Sequence, residues 1–579
     1  MARPDNATVV KALRELAMFL QVEGENAFKT RAYDLAADRV AGLSEQIAAR
    51  VDAGTLTELS GIGESIAKKI TELVTTGKLG ALETFHHRYP PRFLELLEVP
   101  EVGPKKARAL FDQLQVGDPD QLKQACKDGK LRTLKGFGQK TEEKLLASVE
   151  RWEASRNKGG GRHLLAEVLP VAHDLLAWMK GAPGVVRLSE GGSLRRRAET
   201  VGDLDLIASA ADPMPVMDRL AANARVQEVI GRGGSKISVR LTGGLQVDLR
   251  VLPDVDFATA LHHFTGSKAH HIKLRSRALD LGMTISEWGV FRGEEKLSVP
   301  TEEALYALLG MQYVPPELRE DYGELDAALH KALPTRLLEV GDIAGNVHAH
   351  TTWSDGRNSL LEMARAAQAL GLKWMTVTEH SQTSGYAGGL TEEKLKKSHD
   401  EIAQVQAQVP GLKLLRGIES DILEDGRLDY PEKVLAGLDV VICSIHQRYS
   451  QDEEAMTRRV LNALDNPYFM IWGHPTGRLL LKREPAPMRM EEILDKAAKK
   501  GVAVEVNGCP ERLDLKPLHV RLALQRGIKL VASTDAHSIG ELAAHLPLAV
   551  ATARKGWAQP GDVLNTRDDR GFVASLRRA

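Results

Sequence analysis

Gly191-Gly192-Ser193-Leu194-Arg195-Arg196-Arg197 is followed, three residues later, by Val201-Gly202-Asp203-Leu204-Asp205-Leu206-Ile207. On a strand, residues i and i+2 face the same side, so Asp203 and Asp205 project together. Two carboxylates that close repel each other unless a divalent cation sits between them. A third acid, Asp248, lies in Leu245-Gln246-Val247-Asp248-Leu249, a later strand able to pair alongside. Three convergent acids suit two Mg²⁺ or Mn²⁺ ions, one activating an attacking hydroxyl and one stabilising a leaving pyrophosphate. Upstream, the Gly192-Ser193 turn offers backbone N–H and a hydroxyl to a triphosphate, and Arg196 is placed to neutralise it. A lone Asp-x-Asp is ordinarily a solvated strand end. The Gly-Ser turn before it and the strand acid after it argue for a metal site.

Towards the amino terminus, residues 1–150 read as helical, with apolar positions recurring at three and four. A short pattern occurs there three times: Leu59-Ser60-Gly61-Ile62-Gly63, Val99-Pro100-Glu101-Val102-Gly103 and Leu134-Lys135-Gly136-Phe137-Gly138. Glycines flanking an apolar residue permit a tight turn between helices. The helix that follows presents free N–H groups to a phosphate. Lys68 and Lys69, Lys105, Lys106 and Arg108, and Lys140 and Lys144 lie just beyond these turns. The motifs resemble helix-hairpin-helix elements, which hold DNA backbone without reading sequence, with Gly61, Gly63, Gly103, Lys105, Gly136 and Gly138 as DNA-binding candidates. Glu101 stands where a glycine is expected in the middle copy. A basic, glycine-rich linker, residues 154–162, follows.

Towards the carboxyl terminus, strand-then-helix units recur after Leu333-Pro334-Thr335, with strands near 374–378, 440–444, 502–506 and 530–533, the pattern of a parallel α/β barrel. Six of the nine histidines there sit at ends of strand-like runs: His348, His350, His380, His446, His474 and His537. Asp355, Glu419 and Asp535 occupy similar positions. Strand ends of a parallel barrel converge on one face, and nitrogen and oxygen ligands without cysteine suit Mn²⁺, Zn²⁺ or Fe²⁺. His399, His519 and His545 lack such context and read as surface residues.

The chain's 579 residues, 43% hydrophobic and 27% charged, describe a multidomain globular protein and exclude a disordered or fibrous one. Net charge is −1, so a nucleic-acid partner is held by local patches such as residues 101–200, with 19 basic against 13 acidic residues. Three scattered cysteines form no disulfide framework. The first residues alternate charged and apolar like an amphipathic helix rather than a signal peptide. A cytoplasmic, nucleoid-associated location is expected.

The Gly-Ser turn, the carboxylate triad and the helical repeats together resemble the family X, polymerase beta-like, DNA polymerases over about residues 1–335. The resemblance implies a helical lyase-like domain at 1–80 and a helix-hairpin-helix fingers domain at 81–153. It implies further a nucleotidyltransferase palm with a mixed sheet at 163–252 and a thumb at 253–333. Asp203, Asp205 and Asp248 then bind the metals, Asp248 also assisting 3′-hydroxyl activation, and Gly192, Ser193, Arg196 and Gly202 serve the incoming nucleotide. His263-Phe264-Thr265-Gly266-Ser267 matches the segment that packs against the sugar, with His263 where tyrosine is usual, which bears on ribonucleotide rejection. Arg275 falls near the template minor groove. His262, His263, His270 and His271 are set aside as a metal cluster. Gly61-Ile62-Gly63-Glu64-Ser65-Ile66-Ala67-Lys68-Lys69 matches the lyase region, with Lys69 at the Schiff-base position, Lys29 and Tyr33 supporting it, and Ser65 where another lysine is common.

The histidine and acid order resembles the PHP domain, here 341–579, a trinuclear metal phosphoesterase on a distorted (β/α)7-type barrel. It implies one metal on His348, His350, Glu419 and Asp535, a second on Glu419, His446 and His474, and a third on Asp355, His380 and His537. Glu379, where aspartate is more usual, is not an expected ligand. The expectation is therefore a family X DNA polymerase with a fused PHP domain. It would act as a monomer, filling short gaps in DNA from deoxynucleoside triphosphates. The PHP half would supply 3′→5′ exonuclease, with apurinic/apyrimidinic endonuclease, 3′-end cleaning or small-phosphomonoester hydrolysis left open. The alternatives are a DNA-docking phosphoesterase with an inactive polymerase half and a non-catalytic DNA-binding repair scaffold.

Overall fold

The computed structural model describes residues 3–576 apart from Gly42, Ser44, Glu45, Ser60, Lys135, Gly136 and 157–160, and divides into two compact units, 1–161 and 162–579. The first unit is helical among its described residues. Its longer helices include α1 (Asn6–Val22), α2 (Ala27–Ala41), α3 (Glu64–Thr76), α4 (Pro104–Leu114) and α5 (Gln139–Arg156). Asp5 starts α1 by accepting a hydrogen bond from the Thr8 N–H at 2.8 Å. The apolar stripes meet in one core, where Phe19, Tyr89 and Phe93 stack in series, Tyr89 and Phe93 with ring centroids 4.2 Å apart, and Phe111 meets Phe93 edge-on.

In the second unit, β1 (Arg187–Glu190), β2 (Asp203–Ser209), β3 (Val226–Arg232), β4 (Lys236–Leu241) and β5 (Gln246–Leu252) form a mixed sheet in the order β1-β2-β5-β4-β3. β2 and β5 run parallel, and the short helix α6 (Gly192–Arg195) caps the end of β1. Leu204, Leu206, Val247 and Leu249 are buried beneath this sheet.

Beyond it, α7 (Phe257–Thr265) and α8 (Lys268–Asp280) lead to a three-stranded antiparallel sheet made by 284–286, 289–292 and 295–297. The four histidines here make no metal-type cluster among the described residues. Tyr306 OH instead lies 3.2 Å from His262 Nε2 and 2.7 Å from His270 Nε2, while His270 Nδ1 is 2.6 Å from Glu324. His271 is buried with neither ring nitrogen hydrogen-bonded among the described residues. Burial, then His263 and Arg275, pushes its pKa down from 6.5 to about 4. The unfolded chain therefore takes up this proton first as the pH falls. The stabilisation is whole above 6.5 and is lost progressively towards 4, up to about 3 kcal/mol. Melting midpoints between pH 7 and 5 should fall less steeply for His271→Leu than for the unmodified protein, and parallel slopes would contradict this account.

The remainder is a parallel sheet of β6 (Gly345–Asn346), β7 (Trp374–Val377), β8 (Lys413–Asp421), β9 (Val440–Ser444), β10 (Ile471–Trp472), β11 (Ala503–Asn507) and β12 (Leu530–Ser533), paired in chain order. A parallel bridge between Ala349 and Ala536, just past β6 and β12, brings the two edges together, so the barrel is nearly closed. Trp374, Ile442, Trp472 and Val504 fill its core. The helix α9 (Ile539–Lys555) follows β12. His545 corrects the expectation of a surface residue: it is 6% exposed on α9, with Nδ1 2.7 Å from the Thr534 carbonyl. No helix among the described residues is long and apolar enough to cross a membrane.

Candidate active sites

The parallel register of β2 and β5 sets Asp205 directly beside Asp248, and Asp203 joins them from the same face. One oxygen from each lies within 4.8 Å of the others. Burial, then Asp203 and Asp248, pushes the Asp205 carboxyl up to about 7. Asp248 goes the other way: burial raises it, but hydrogen bonds from Lys236, Ser238 and Gln246 hold it below the ordinary value. Lys236 Nζ donates to it at 2.7 Å and Gln246 Nε2 at 3.1 Å. The mutual repulsion around Asp205 and the clustered acid oxygens are what a divalent cation relieves, so the donor set fits one.

Gly192 is required here. Its φ is +57°, and a Cβ on it would lie 2.2 Å from Asp205 Oδ2. Ser193 is half-buried in α6, and Gly202 directly precedes β2. The three consecutive arginines diverge. Arg195 pairs with buried Glu302 at 2.6 Å and Arg197 with Glu190 at 2.6 Å. Arg196 donates to the Thr265 carbonyl at 2.6 Å and lies against Gly266, at the end of α7. His263 and Phe264 stand on that last turn with rings 4.8 Å apart, and the Arg250 guanidinium lies 4.1 Å from the Phe264 ring centroid. Arg275 is exposed on α8, close enough for its charge to act on His263.

In the helical unit the three repeats share one turn. The N–H groups of Ile62, Val102 and Phe137 donate to the carbonyls of Leu59, Val99 and Leu134 at 3.0, 3.0 and 3.1 Å. Gly63, Gly103 and Gly138 each accept the first bond of the helix that follows. Among the described residues no side chain caps α3 or α4, which leaves their N–H groups to a phosphate. Gly61 has φ +91°, and Glu101 adopts +74° at the equivalent place, so the glycine's conformation survives its replacement. Lys105 is exposed on the first turn of α4, and Lys106 Nζ donates to the Glu101 carbonyl at 2.9 Å. Gly136 lies outside the described residues. Lys69 is half-buried on α3, its Nζ 5.9 Å from the Tyr33 ring centroid, whereas Lys29 is paired with Glu25 at 2.8 Å.

All nine acid and histidine candidates of the barrel meet at the carboxyl ends of its strands. Glu419 is the centre: its Oε1 is 2.8 Å from His474 and 3.2 Å from His446, and its Oε2 is 2.9 Å from His380, 3.5 Å from His348 and 3.7 Å from His350. Asp535 lies 3.4 Å from His350, and Asp355 lies 3.3 Å from His537 and 3.6 Å from His380. His350 therefore faces Asp535 with Nε2 and Asp355 with Nδ1, joining two groups of candidate ligands. Burial pushes the Glu419 carboxyl up, but His446, His348 and His380 pull it well below the ordinary range. Ring nitrogens of His348, His350, His380, His446 and His474 and Glu419 Oε2 are buried without hydrogen-bond partners among the described residues. Orphaned nitrogens of His348, His350, His380 and His446 converging on carboxylates fit divalent metals. Asp535 adopts φ +48° and His474 +22°, backbone strain at candidate ligand positions.

Supporting residues hold this set, and several were not singled out from sequence. Glu505 lies 2.6 Å from His348 Nδ1, Asp421 2.5 Å from His446 Nδ1, and Asn507 donates to Asp535 at 3.1 Å. Glu379 accepts from Thr351 and Ser354 instead of facing the cluster. Arg512 Nε lies 3.5 Å from Asp535, and its Nη1 is buried without a partner among the described residues. Its only sequence signal is the turn Cys509-Pro510-Glu511-Arg512-Leu513-Asp514 after a strand.

Family models match four segments: a helix-hairpin-helix domain over residues 4–79, a SAM-like helix-hairpin-helix tandem over 93–151, the DNA polymerase beta thumb over 260–320 and the PHP domain over 346–508. The chain is 37% identical over 574 residues to the DNA polymerase/3′-5′ exonuclease PolX of Bacillus subtilis, covering 98% of this chain and 99% of that one. One third of the chain is also 29% identical over 209 residues to a probable phosphatase of Caldanaerobacter subterraneus, covering 75% of it. A probable phosphatase of a Thermoanaerobacter species is 30% identical over 203 residues, 78% of its length.

Proposed function

The chain belongs to the family X DNA polymerases that carry a PHP domain, and on that premise we propose which residues perform each of its two reactions. It is a DNA polymerase with a 3′–5′ exonuclease, and it binds DNA. The observation that carries the polymerase assignment is the convergence of Asp203, Asp205 and Asp248 within 4.8 Å beside the Gly192 turn.

Divalent cations, when bound, supply charge neutralisation for the triphosphate and activation of the primer hydroxyl in the palm, and activation of water against a phosphodiester in the barrel. The chain's own residues do the rest. Asp203 and Asp205 hold the cation side of the nucleotide, and Asp248, fixed by Lys236, faces the primer terminus. The N–H groups of α6, Ser193 and Arg196 take the triphosphate. His263 and Phe264 bound the sugar, and Arg275 contacts the template strand. The helix-hairpin-helix turns grip backbone phosphates away from the chemistry. Mg²⁺ or Mn²⁺ suits the all-carboxylate palm. Mn²⁺, Zn²⁺ or Fe²⁺ suits the imidazole-rich barrel, where three ions share the nine ligands. The substrates are short gaps and primer ends met in repair, with deoxynucleoside triphosphates, acted on by a monomer. A labelled primer in gapped DNA tests this reading: it should lengthen with deoxynucleotides and shorten without them. No lengthening would return the chain to the docking phosphoesterase.

Arg512 is assigned to the scissile phosphate in the barrel, because its Nε lies 3.5 Å from Asp535 and its Nη1 is buried without a partner among the described residues. Arg512→Ala should lower shortening about 10- to 100-fold at unchanged metal content. Arg512→Lys should recover little of it, since the planar fork is lost. Unaltered shortening in Arg512→Ala would remove this role. Lys69 is assigned to a deoxyribose-phosphate lyase step, its amine attacking the open sugar aldehyde. Borohydride should trap the unmodified chain on DNA bearing a 5′-deoxyribose phosphate and should not trap Lys69→Ala. Equal trapping would send the activity to another lysine. The resemblance to probable phosphatases favours a second reading of the barrel, hydrolysis of small phosphomonoesters, which turnover of a soluble phosphate ester distinguishes from shortening of DNA.

A further inference from the structure

The helix α9 starts beside the proposed exonuclease ligands and ends against Arg196 of the palm. Asp535 and His537 directly precede it, and Lys555 is its last residue, 6% exposed. Its 17 residues span about 25 Å. Lys555 Nζ donates to the Arg196 carbonyl at 2.8 Å and to Glu320 Oε1 at 2.9 Å, with a longer contact of 3.4 Å to the Glu317 carbonyl. The same Glu320 oxygen accepts from Arg196 Nε at 3.2 Å. One carboxylate oxygen is thus shared between a guanidinium of the palm and an ammonium of the barrel. Burial pushes the Glu320 carboxyl up, but Lys555 and Arg196 outweigh it and keep the group ionised.

The surroundings make this contact a fixed one. Arg554 donates to Glu317 at 3.0 Å and to the Leu338 carbonyl at 2.9 Å. Arg478 of the barrel holds Glu199 of the palm with two bonds of 2.6 and 3.1 Å. Leu513 and Leu548 of the barrel belong to the core under the palm sheet. An exposed ion pair would count for little, whereas a buried ammonium with two short acceptors has one place to be.

An arginine that must meet a triphosphate is hindered by a carboxylate on its own guanidinium. Lys555 competes for that carboxylate and also ties down the arginine's backbone. We propose that Lys555 is a positioning residue for nucleotide addition contributed by the PHP barrel, neutralising Glu320 and pinning the Arg196 backbone so that the guanidinium is presented to the incoming triphosphate. The proposal rests on the assignment of Arg196 to the triphosphate.

The test is steady-state single-nucleotide addition by the full chain on gapped DNA with a phosphorothioate primer end, alongside primer shortening on ordinary DNA. Lys555→Met should raise KM for the deoxynucleotide about tenfold, with kcat and shortening within about twofold of the unmodified protein. Lys555→Arg, which keeps charge and donors, should stay near the unmodified KM. If Lys555→Met does not fold, Lys555→Gln, which keeps a donor without the charge, is read the same way. A KM unchanged in these neutral variants overturns the proposal, as does a proportional fall of extension and shortening, which marks a merely structural contact. Arg196→Ala separates the two layers. If it raises KM while Lys555→Met does not, only the proposal fails. If it leaves KM unchanged, the triphosphate assignment fails and takes the proposal with it.

Discussion

Asp205→Ala should abolish primer extension, by about a thousandfold or more, while primer shortening by the same preparation stays within about twofold. The size of the effect follows from where Asp205 sits. It is the member of the triad flanked by both other acids, in register with Asp248 and against Gly192. Removing it takes away the carboxylate on which both other acids act. Lys236 would then neutralise Asp248 with little carboxylate left to hold a cation. Asp205→Asn is the sharper variant, since it keeps the shape and discards the charge. It should be as inactive as the alanine and should melt no lower than the unmodified protein, because a carboxylate pushed up to about 7 by burial and like charges is a local liability of the fold. Extension surviving in either variant would dismantle the assignment of all three acids.

Much of this site was legible because its signal is local. The two-residue period of a strand suffices to put Asp203 and Asp205 together, and a glycine that cannot carry a Cβ beside Asp205 appears in the sequence as Gly192. The pairing of Asp205 with Asp248 is a matter of register between distant strands. Only a strand able to pair could be inferred, and the parallel alignment of the two acids came from the fold. Lys236, which sets the charge of Asp248, could not be found at all, since its place depends on the register of β4 against β5. The barrel shows the same division. Histidines and acids at strand ends announce themselves, because few other forces put them there. Arg512 is one arginine among many until the turn after β11 aims it at Asp535. His545 misleads in the opposite sense: it sits at no strand end and so reads as a surface residue, yet it is buried on α9 with Nδ1 2.7 Å from the Thr534 carbonyl. Glu101 shows the limit of residue-type rules, since a neighbouring turn and helix held it at φ +74° where glycine was expected. What the sequence conceals throughout is the partner supplied by another element.

Glu419→Gln should remove primer shortening, again by about a thousandfold or more, and lower the bound metal measured by atomic emission, while extension of a phosphorothioate-ended primer persists. Five imidazoles point nitrogens at this one carboxylate between 2.8 and 3.7 Å. The glutamine keeps the volume, but it replaces one oxygen with a donor and removes the charge that balances the cluster. Asp535 and Asp355 remain, each at the edge of the group and each shared with His350, so partial metal retention is expected beside complete loss of shortening. The same change carries a consequence for synthesis. On an ordinary primer the unmodified protein trims what it adds, so at low deoxynucleotide concentration Glu419→Gln should give longer products than the unmodified chain. Shortening that continues in Glu419→Gln would place the exonuclease outside this cluster. Loss of extension along with shortening would mean that Glu419 supports the packing of barrel against palm, and the two reactions could then no longer be assigned to separate sites by substitution.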